Sequence, residues 1–179
     1  MEQATQLIIA FAFYSFIGWC GEVIYNFVRE HRWVNRGFLR GPFCLLYGVG
    51  AIGVVALCTT GTPLWATVMV AAIWSIFVEY CGSVVLEHIG LSGWDYSDKP
   101  LNLHGRICLE SIATFVVGLV ALVYVLHPAV AVMLQQLSPT TVKALVVLFV
   151  LYVVVDGNRQ LKKQLEWHRK TGDVRGSIE

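Results

Sequence analysis

The sequence predicts an all-α polytopic membrane protein: about five transmembrane helices containing a parallel helix-loop-helix repeat. Three observations lead there. Of 179 residues, 56% are hydrophobic and 14% charged, and the mean hydropathy is +0.64; soluble domains carry about 25% charged residues. The apolar residues gather in runs near the ~20 residues that a bilayer-spanning helix needs. The polar punctuation between the runs recurs. This composition rules out a disordered chain and argues against an ordinary soluble enzyme. A net charge of +1 gives no electrostatic case for nucleic acid. The five cysteines form no CxxC pair, which argues against a disulfide scaffold or a metal site. No cofactor is expected.

The first predicted span is Leu7–Val28. It has no basic leading segment and no clear small-residue cleavage site, and it carries Glu22 and Asn26, so it does not read as a signal peptide. The second is Pro42–Cys58, the third Leu64–Leu86 and the fourth Ile107–Leu126. The fifth, Thr141–Asp156, is short but extendable by tilt or snorkelling ends. If five helices alternate, Arg29, Arg32, Arg36 and Arg40, then Lys99 and Arg106, then six basic residues after the fifth span all fall on one side. That is twelve of the thirteen Lys and Arg residues. The positive-inside rule then puts the N-terminus outside and the C-terminus in the cytoplasm of a cell-membrane protein. The outer connection His127–Thr140 contains Pro128, Pro139 and the run AVAVML, and a short interfacial helix or re-entrant piece is expected there. Residues 1–157 form a single transmembrane domain, with repeat units at about 7–58 and 64–126 and a fifth helix at about 141–157. Residues 158–179 form a basic tail. Its Leu161, Leu165 and His168 share a face, as in an amphipathic helix on the anionic inner leaflet. A solvated extension of the fifth span is the alternative.

The repeat rests on self-similarity. Trp19-Cys20-Gly21 recurs as Tyr80-Cys81-Gly82, Trp33 as Trp94, and Leu39–Leu45 as Leu103–Leu109, with Gly41 matching Gly105 and Cys44 matching Cys108. Each unit contains two spans, so both copies enter the membrane in the same direction. Cys44 and Cys108 should therefore stand at equivalent helix starts.

Charged groups inside spans are costly and default to functional hypotheses. Gly18, Glu22 and Asn26 share one helix face, as do Glu79, Ser83 and Glu87. Arg106 and Glu110 are spaced as an i, i+4 pair, and Tyr152 and Asp156 likewise. Glu22, Glu79, Arg106 and Glu110 are expected to converge on one water-accessible cavity in the cytoplasmic half, where a proton or a bound cation offsets the excess of acids. Asn26, Arg40, Asn102, His104 and Asp156 complete the candidate substrate- or ion-binding set. The loops WVNRGFLRGP and WDYSDKPLNLHGR each end in a glycine and a basic or proline residue as a helix begins, a place suited to anions. The structural alternative is a satisfied ion-pair network holding short helices together, with turn glycines and arginines that only obey the positive-inside rule. The chain carries no P-loop, HExxH, GxSxG or dinucleotide fingerprint.

The stretches Tyr14–Ile52 and Trp94–Ser111 resemble the CmpB-like ABC-transporter type IV (permease) family. The resemblance covers roughly residues 8–125. The matched residues are Glu22, Asn35, Arg36, Gly37, Gly41, Pro42, Cys44, Tyr47, Trp94, Asp95, Tyr96, Ser97, Asn102, Gly105, Arg106 and Glu110. One departure is Leu45 in place of the proline of GPxCPxYG, which bears on the kink opening the second helix. The resemblance implies a transporter subunit. Three functions compete: a transporter or channel subunit handling a small solute, a cation or protons; a membrane-embedded enzyme acting on a lipid or headgroup; and a noncatalytic assembly protein. Catalysis is the less favoured. The small size implies a homodimer or a partner membrane subunit, with a separate ATPase if ATP drives transport.

Overall fold

The computed structural model describes residues 3–31, 38–88 and 94–171. The expected features at Arg32, Trp33, Asn35, Arg36, Gly37 and Arg175 lie outside the described residues, as does the side chain of His168.

Helix α1, Gln3–Glu30, has 28 residues, about 42 Å at the α-helical rise. It is followed by an extended approach to α2, Leu45–Leu57, which has 13 residues. The expected second span begins three residues earlier, at Pro42. Pro42 has no N–H to give, and the Cys44 N–H instead donates to the Ser15 carbonyl of α1 at 3.0 Å, so the segment docks extended and the helix starts at Leu45. At about 20 Å, α2 is shorter than a ~30 Å hydrocarbon core. It is wholly apolar and central, packing on α1, α3 and α4. Gly18 of α1 allows the close approach, since a Cβ there would lie 2.3 Å from that of Tyr47.

After a Thr59–Pro63 turn, α3 runs from Leu64 to His88 and buries Thr67, Ala71, Ser75, Glu79 and Ser83 on one face. A compact loop follows, with a two-stranded hairpin of β1 (Asn102–Leu103) and β2 (Ile107–Cys108). Its turn holds His104 and Gly105 at φ +56° and +68°, the left-handed pair of a type I′ turn. A Cβ on Gly105 would also lie 2.4 Å from Ser97 Oγ. Helix α4, Leu109–Ala121, is capped by Cys108, whose Sγ accepts from the Ser111 N–H while Ser111 Oγ accepts from the Cys108 N–H. Cys44 stands in the same extended conformation immediately before α2. The two cysteines thus take the equivalent helix-start positions that the repeat predicts.

The fourth helix does not stop at Leu126. A π-helical turn, Leu122–Leu126, joins α4 to α5, His127–Gln136, in one continuous rod. The expected outer piece in His127–Thr140 is therefore corrected to the end of this helix plus a Leu137–Ser138 turn. Pro128 lacks the N–H for the normal ladder. The widened turn, with the His127 N–H on the Leu122 carbonyl, opens the ladder where the ring must fit. Helix α6, Pro139–Thr171, starts at a Ser138 cap whose Oγ accepts from the Thr141 N–H at 3.1 Å, with Pro139 in the first turn. It runs without a break through Asp156 and past position 158, where the tail is expected to begin.

Among the described residues, four helical stretches are long and apolar enough to cross a membrane: Ala4–Val28, Leu64–His88, Leu109–Gln136 and Pro139–Glu166, with Leu45–Leu57 as a fifth, shorter apolar helix. The chain is a multi-pass membrane protein. Its core lies where α2 meets α1, α3 and the α4–α5 rod, around Tyr14, Ala51, Val54, Ala71, Leu122 and Val123. Helix α6 leans on α1 through Phe149, which meets Phe11 and Phe43 with ring centroids 6.1 and 5.1 Å apart.

Candidate functional site

A cavity of about 750 Å³ lies between α1 and α4. These two helices do not pack on each other along their length. Instead they are bridged at two levels. Near the loop end the Tyr25 hydroxyl donates to Glu110 Oε1 at 2.9 Å. Far along the helices the Tyr14 hydroxyl meets His127 Nδ1 at 2.6 Å. The cavity wall between the bridges is divided by polarity. Glu22, Asn26, Asp95, Tyr96, Asp98, Lys99, Glu110 and Ser111 form the loop end, and Ile17, Ala51, Leu119, Leu122 and Leu126 the other. Tyr47 lines it from α2, stacked on Phe115 with planes 7° apart.

The α1 face carrying Gly18, Glu22 and Asn26 delivers all three to this wall. Asn26 is 2% exposed, and its Nδ2 is a buried donor without a partner among the described residues. Glu110 receives Lys99 Nζ at 3.3 Å as well as the Tyr25 hydroxyl. Glu79 does not line the cavity. It is 1% exposed, and its Oε2 accepts from Ser111 Oγ at 2.9 Å. Ser111 also stands 2.9 Å from the Cys108 carbonyl. One serine side chain thus links a buried carboxyl group, a helix cap and the cavity surface. Among the described residues no Lys or Arg comes within ion-pair distance of Glu79.

Arg106 is held apart from the cavity. The helix begins at Leu109, so the expected i, i+4 pair with Glu110 does not form; Arg106 sits in the hairpin, before the helical register starts. Its Nη1 donates to Ser83 Oγ at 3.1 Å, its Nη2 pairs with Glu87, and its guanidinium lies 5.7 Å from the Tyr80 ring centre. The Glu87 carboxylate raises the pKa of this guanidinium further. The α3 stripe of Glu79, Ser83 and Glu87 thus faces residues 106–111. His104 Nδ1 meets the Tyr80 hydroxyl at 3.0 Å. Asn102 holds the loop itself: its Nδ2 donates to the Lys99 carbonyl at 2.8 Å, and its Oδ1 accepts from the Gly105 N–H at 3.0 Å. Trp94 Nε1 donates to the Arg106 carbonyl at 2.7 Å. These bonds fix the segment that brings Asp95, Tyr96, Asp98 and Lys99 over the cavity.

Over this whole arrangement, residues 9–159 match the family described as "Putative ABC-transporter type IV" (CmpB). The chain belongs to this family. No curated protein and no solved structure gives a match. The type IV match takes in both bridges, the cavity wall and the stretch of α6 that holds Asp156. There the Asp156 carboxylate accepts from the Arg40 backbone N–H at 2.7 Å and from the Tyr152 hydroxyl at 3.2 Å. A Cβ on Gly41 would strike that hydroxyl. Arg40 and Asp156 therefore tie the segment before α2 to α6, away from the cavity.

Sequence reasoning missed Tyr25, Ser111 and the Tyr14–His127 bridge. Ser111 had a signal, since it lies three residues beyond the helix-opening Cys108. The two tyrosine bridges join residues 85 and 113 positions apart and had none. Among the described residues, no three His, Cys, Asp or Glu side chains gather as metal ligands would.

Proposed function

We propose that the chain is the membrane-embedded subunit of a transporter, with its small solute held in the α1–α4 cavity. One observation carries this reading: each end of the cleft is bridged by a tyrosine hydrogen bond, Tyr25–Glu110 at one end and Tyr14–His127 at the other. A hydrogen bond contributes ~0.5–1.5 kcal/mol net, or ~1.5–3 kcal/mol where a charged group such as the Glu110 carboxylate accepts it, so either end can part without disturbing the packed core. Opening the two in turn gives access to each side of the membrane. Glu22, Asn26 and Glu110 meet the solute at the polar end, while Glu79 acts on the same wall through Ser111. Arg106, His104, Asn102, Arg40 and Asp156 position the loops around it.

The loop end faces the cytoplasm, because Arg40, Lys99, Arg106 and the basic residues late in α6 share that end; the N-terminus is then outside the cell membrane. Membership of the ABC-transporter type IV family fits pairing with a separate ATPase that supplies ATP hydrolysis. The long apolar faces of α3 and α6 suit a second copy or a partner membrane subunit.

The test is thiol accessibility in sealed vesicles of known orientation. Thr114→Cys should react with a membrane-impermeant reagent from the cytoplasmic side. Leu122→Cys should become reactive from outside when Tyr14→Phe breaks the far bridge. If neither position reacts from either side in any background, the cavity is not a pathway. Thr60→Cys should react only from outside and Asn158→Cys only from inside; the reverse pattern overturns the orientation.

A further inference from the structure

Two glycines in the cavity wall have no explanation among the described residues. Gly18, Gly48 and Gly53 are each required by a neighbour, since a Cβ built on any of them falls within 2.3 Å of a packed side chain. Gly21 of α1 and Gly118 of α4 differ. Both line the cavity, and among the described residues a Cβ on either meets nothing within 4 Å. Glycine is the poorest helix former after proline, yet nothing in the fold asks for it at either place. The two lie on opposite walls of one cleft, between the two tyrosine bridges.

An independent observation points to an occupant. Asn26 is 2% exposed, lines the same cavity, and its Nδ2 has no acceptor among the described residues. A buried donor left unpaired is unfavourable, and native structures leave few of them. The polarity of the wall tells what kind of molecule would supply that acceptor. The polar groups gather at the loop end, and Leu119, Leu122 and Leu126 continue the wall away from it. A volume of about 750 Å³ lies within the ~300–1,000 Å³ of pockets that enclose small ligands, room for one chain and a compact head.

We infer that the cavity holds a single-chain, lipid-like amphiphile. Its chain passes between the bare backbones of Gly21 and Gly118 and lies along Leu119 and Leu122. Its head sits at the loop end, where an ester, hydroxyl or phosphoryl oxygen accepts from Asn26 Nδ2. This inference rests on reading the α1–α4 cavity as the solute site and names the class of that solute.

The experiment uses the full chain in nanodiscs of two-chain phosphatidylcholine, with a lysophosphatidylcholine probe carrying a photoreactive group in its chain. Adducts are mapped by peptide mass spectrometry. Adducts are expected on residues 17–26 of α1 and 114–126 of the α4–α5 rod, as well as on the outward face of α6, which serves as an internal control. Gly21→Leu and Gly118→Leu occupy open space, so neither should lower the unfolding temperature. Each should reduce cavity adducts relative to α6 adducts by about tenfold, equivalent to ~1.4 kcal/mol. A two-chain phosphatidylcholine probe should label α6 but not the cavity. The inference is overturned if cavity adducts are absent in the parent protein, if both variants leave them unchanged, or if the two-chain probe labels the cavity equally. It is also overturned if oxidation joins two copies through Gly21→Cys, which would mean that a second copy covers the cleft. Accessibility from both sides without amphiphile adducts rejects this inference alone. Adducts without two-sided accessibility keep the ligand and reject transport.

Discussion

Replacing Ser111 by alanine removes two interactions at once. The Cys108 N–H loses the Ser111 Oγ acceptor at 3.2 Å, and Glu79 Oε2 loses its donor at 2.9 Å. Cys108 is 2% and Glu79 1% exposed, so both lose a partner within the packed protein. Loss of an N-cap partner costs ~0.5–2 kcal/mol, and a buried polar group left unsatisfied costs ~1–3 kcal/mol. Together the expected destabilisation is about 1.5–5 kcal/mol, a large share of a typical total stability of 5–15 kcal/mol. Ser111→Thr keeps the hydroxyl and should restore most of the loss. Glu79→Gln keeps an oxygen for that hydroxyl and should cost less than Ser111→Ala. Glu79→Leu should be better tolerated in the Ser111→Ala background than alone, because the orphaned carboxyl is then gone; the coupling should reach ~1 kcal/mol or more. The assay is equilibrium unfolding in mixed micelles by titration with a denaturing detergent, followed by circular dichroism. The reasoning is refuted if Ser111→Ala stays within ~0.5 kcal/mol of the parent, or if Glu79→Leu costs the same with and without the serine.

Three further outcomes follow from the geometry. Gly18→Ala places a methyl group 2.3 Å from the Tyr47 Cβ and should destabilise by ~1–3 kcal/mol, as overpacking does; an unchanged unfolding midpoint would show that α1 and α2 do not meet there. Gly105→Ala puts a side chain at φ +68° and 2.4 Å from Ser97 Oγ. It should cost at least the ~1–2 kcal/mol of a left-handed L-residue and speed proteolysis within residues 94–108. Arg106→Gln should cost little, for a pair whose Glu87 side chain is 60% exposed, and its effect should shrink at high salt; a cost that is large and independent of salt would place the pair in a dry environment.

The sequence by itself determined the membrane class, because hydropathy is a sum over local residues and needs no partner. It also expected Cys44 and Cys108 at the openings of their helices, and each immediately precedes one. The α1 face of Gly18, Glu22 and Asn26 was readable for the same reason: helical periodicity fixes which residues share a side, and all three line the cavity. What periodicity cannot supply is the partner across a gap. Arg106 read as the mate of Glu110 four residues on, yet the helix starts at Leu109, and Arg106 turns to Glu87 on α3 while Glu110 meets Tyr25 on α1. The apolar stretch after Leu126 read as a connection because of Pro128, which a π-helical turn absorbs. The cavity exists only because α1 and α4 stand apart, and that spacing is set by the packing of α2 against both, at Gly18 on Tyr47 and Tyr47 on Phe115. Such contacts join residues far apart in the chain, so tertiary structure alone decided them.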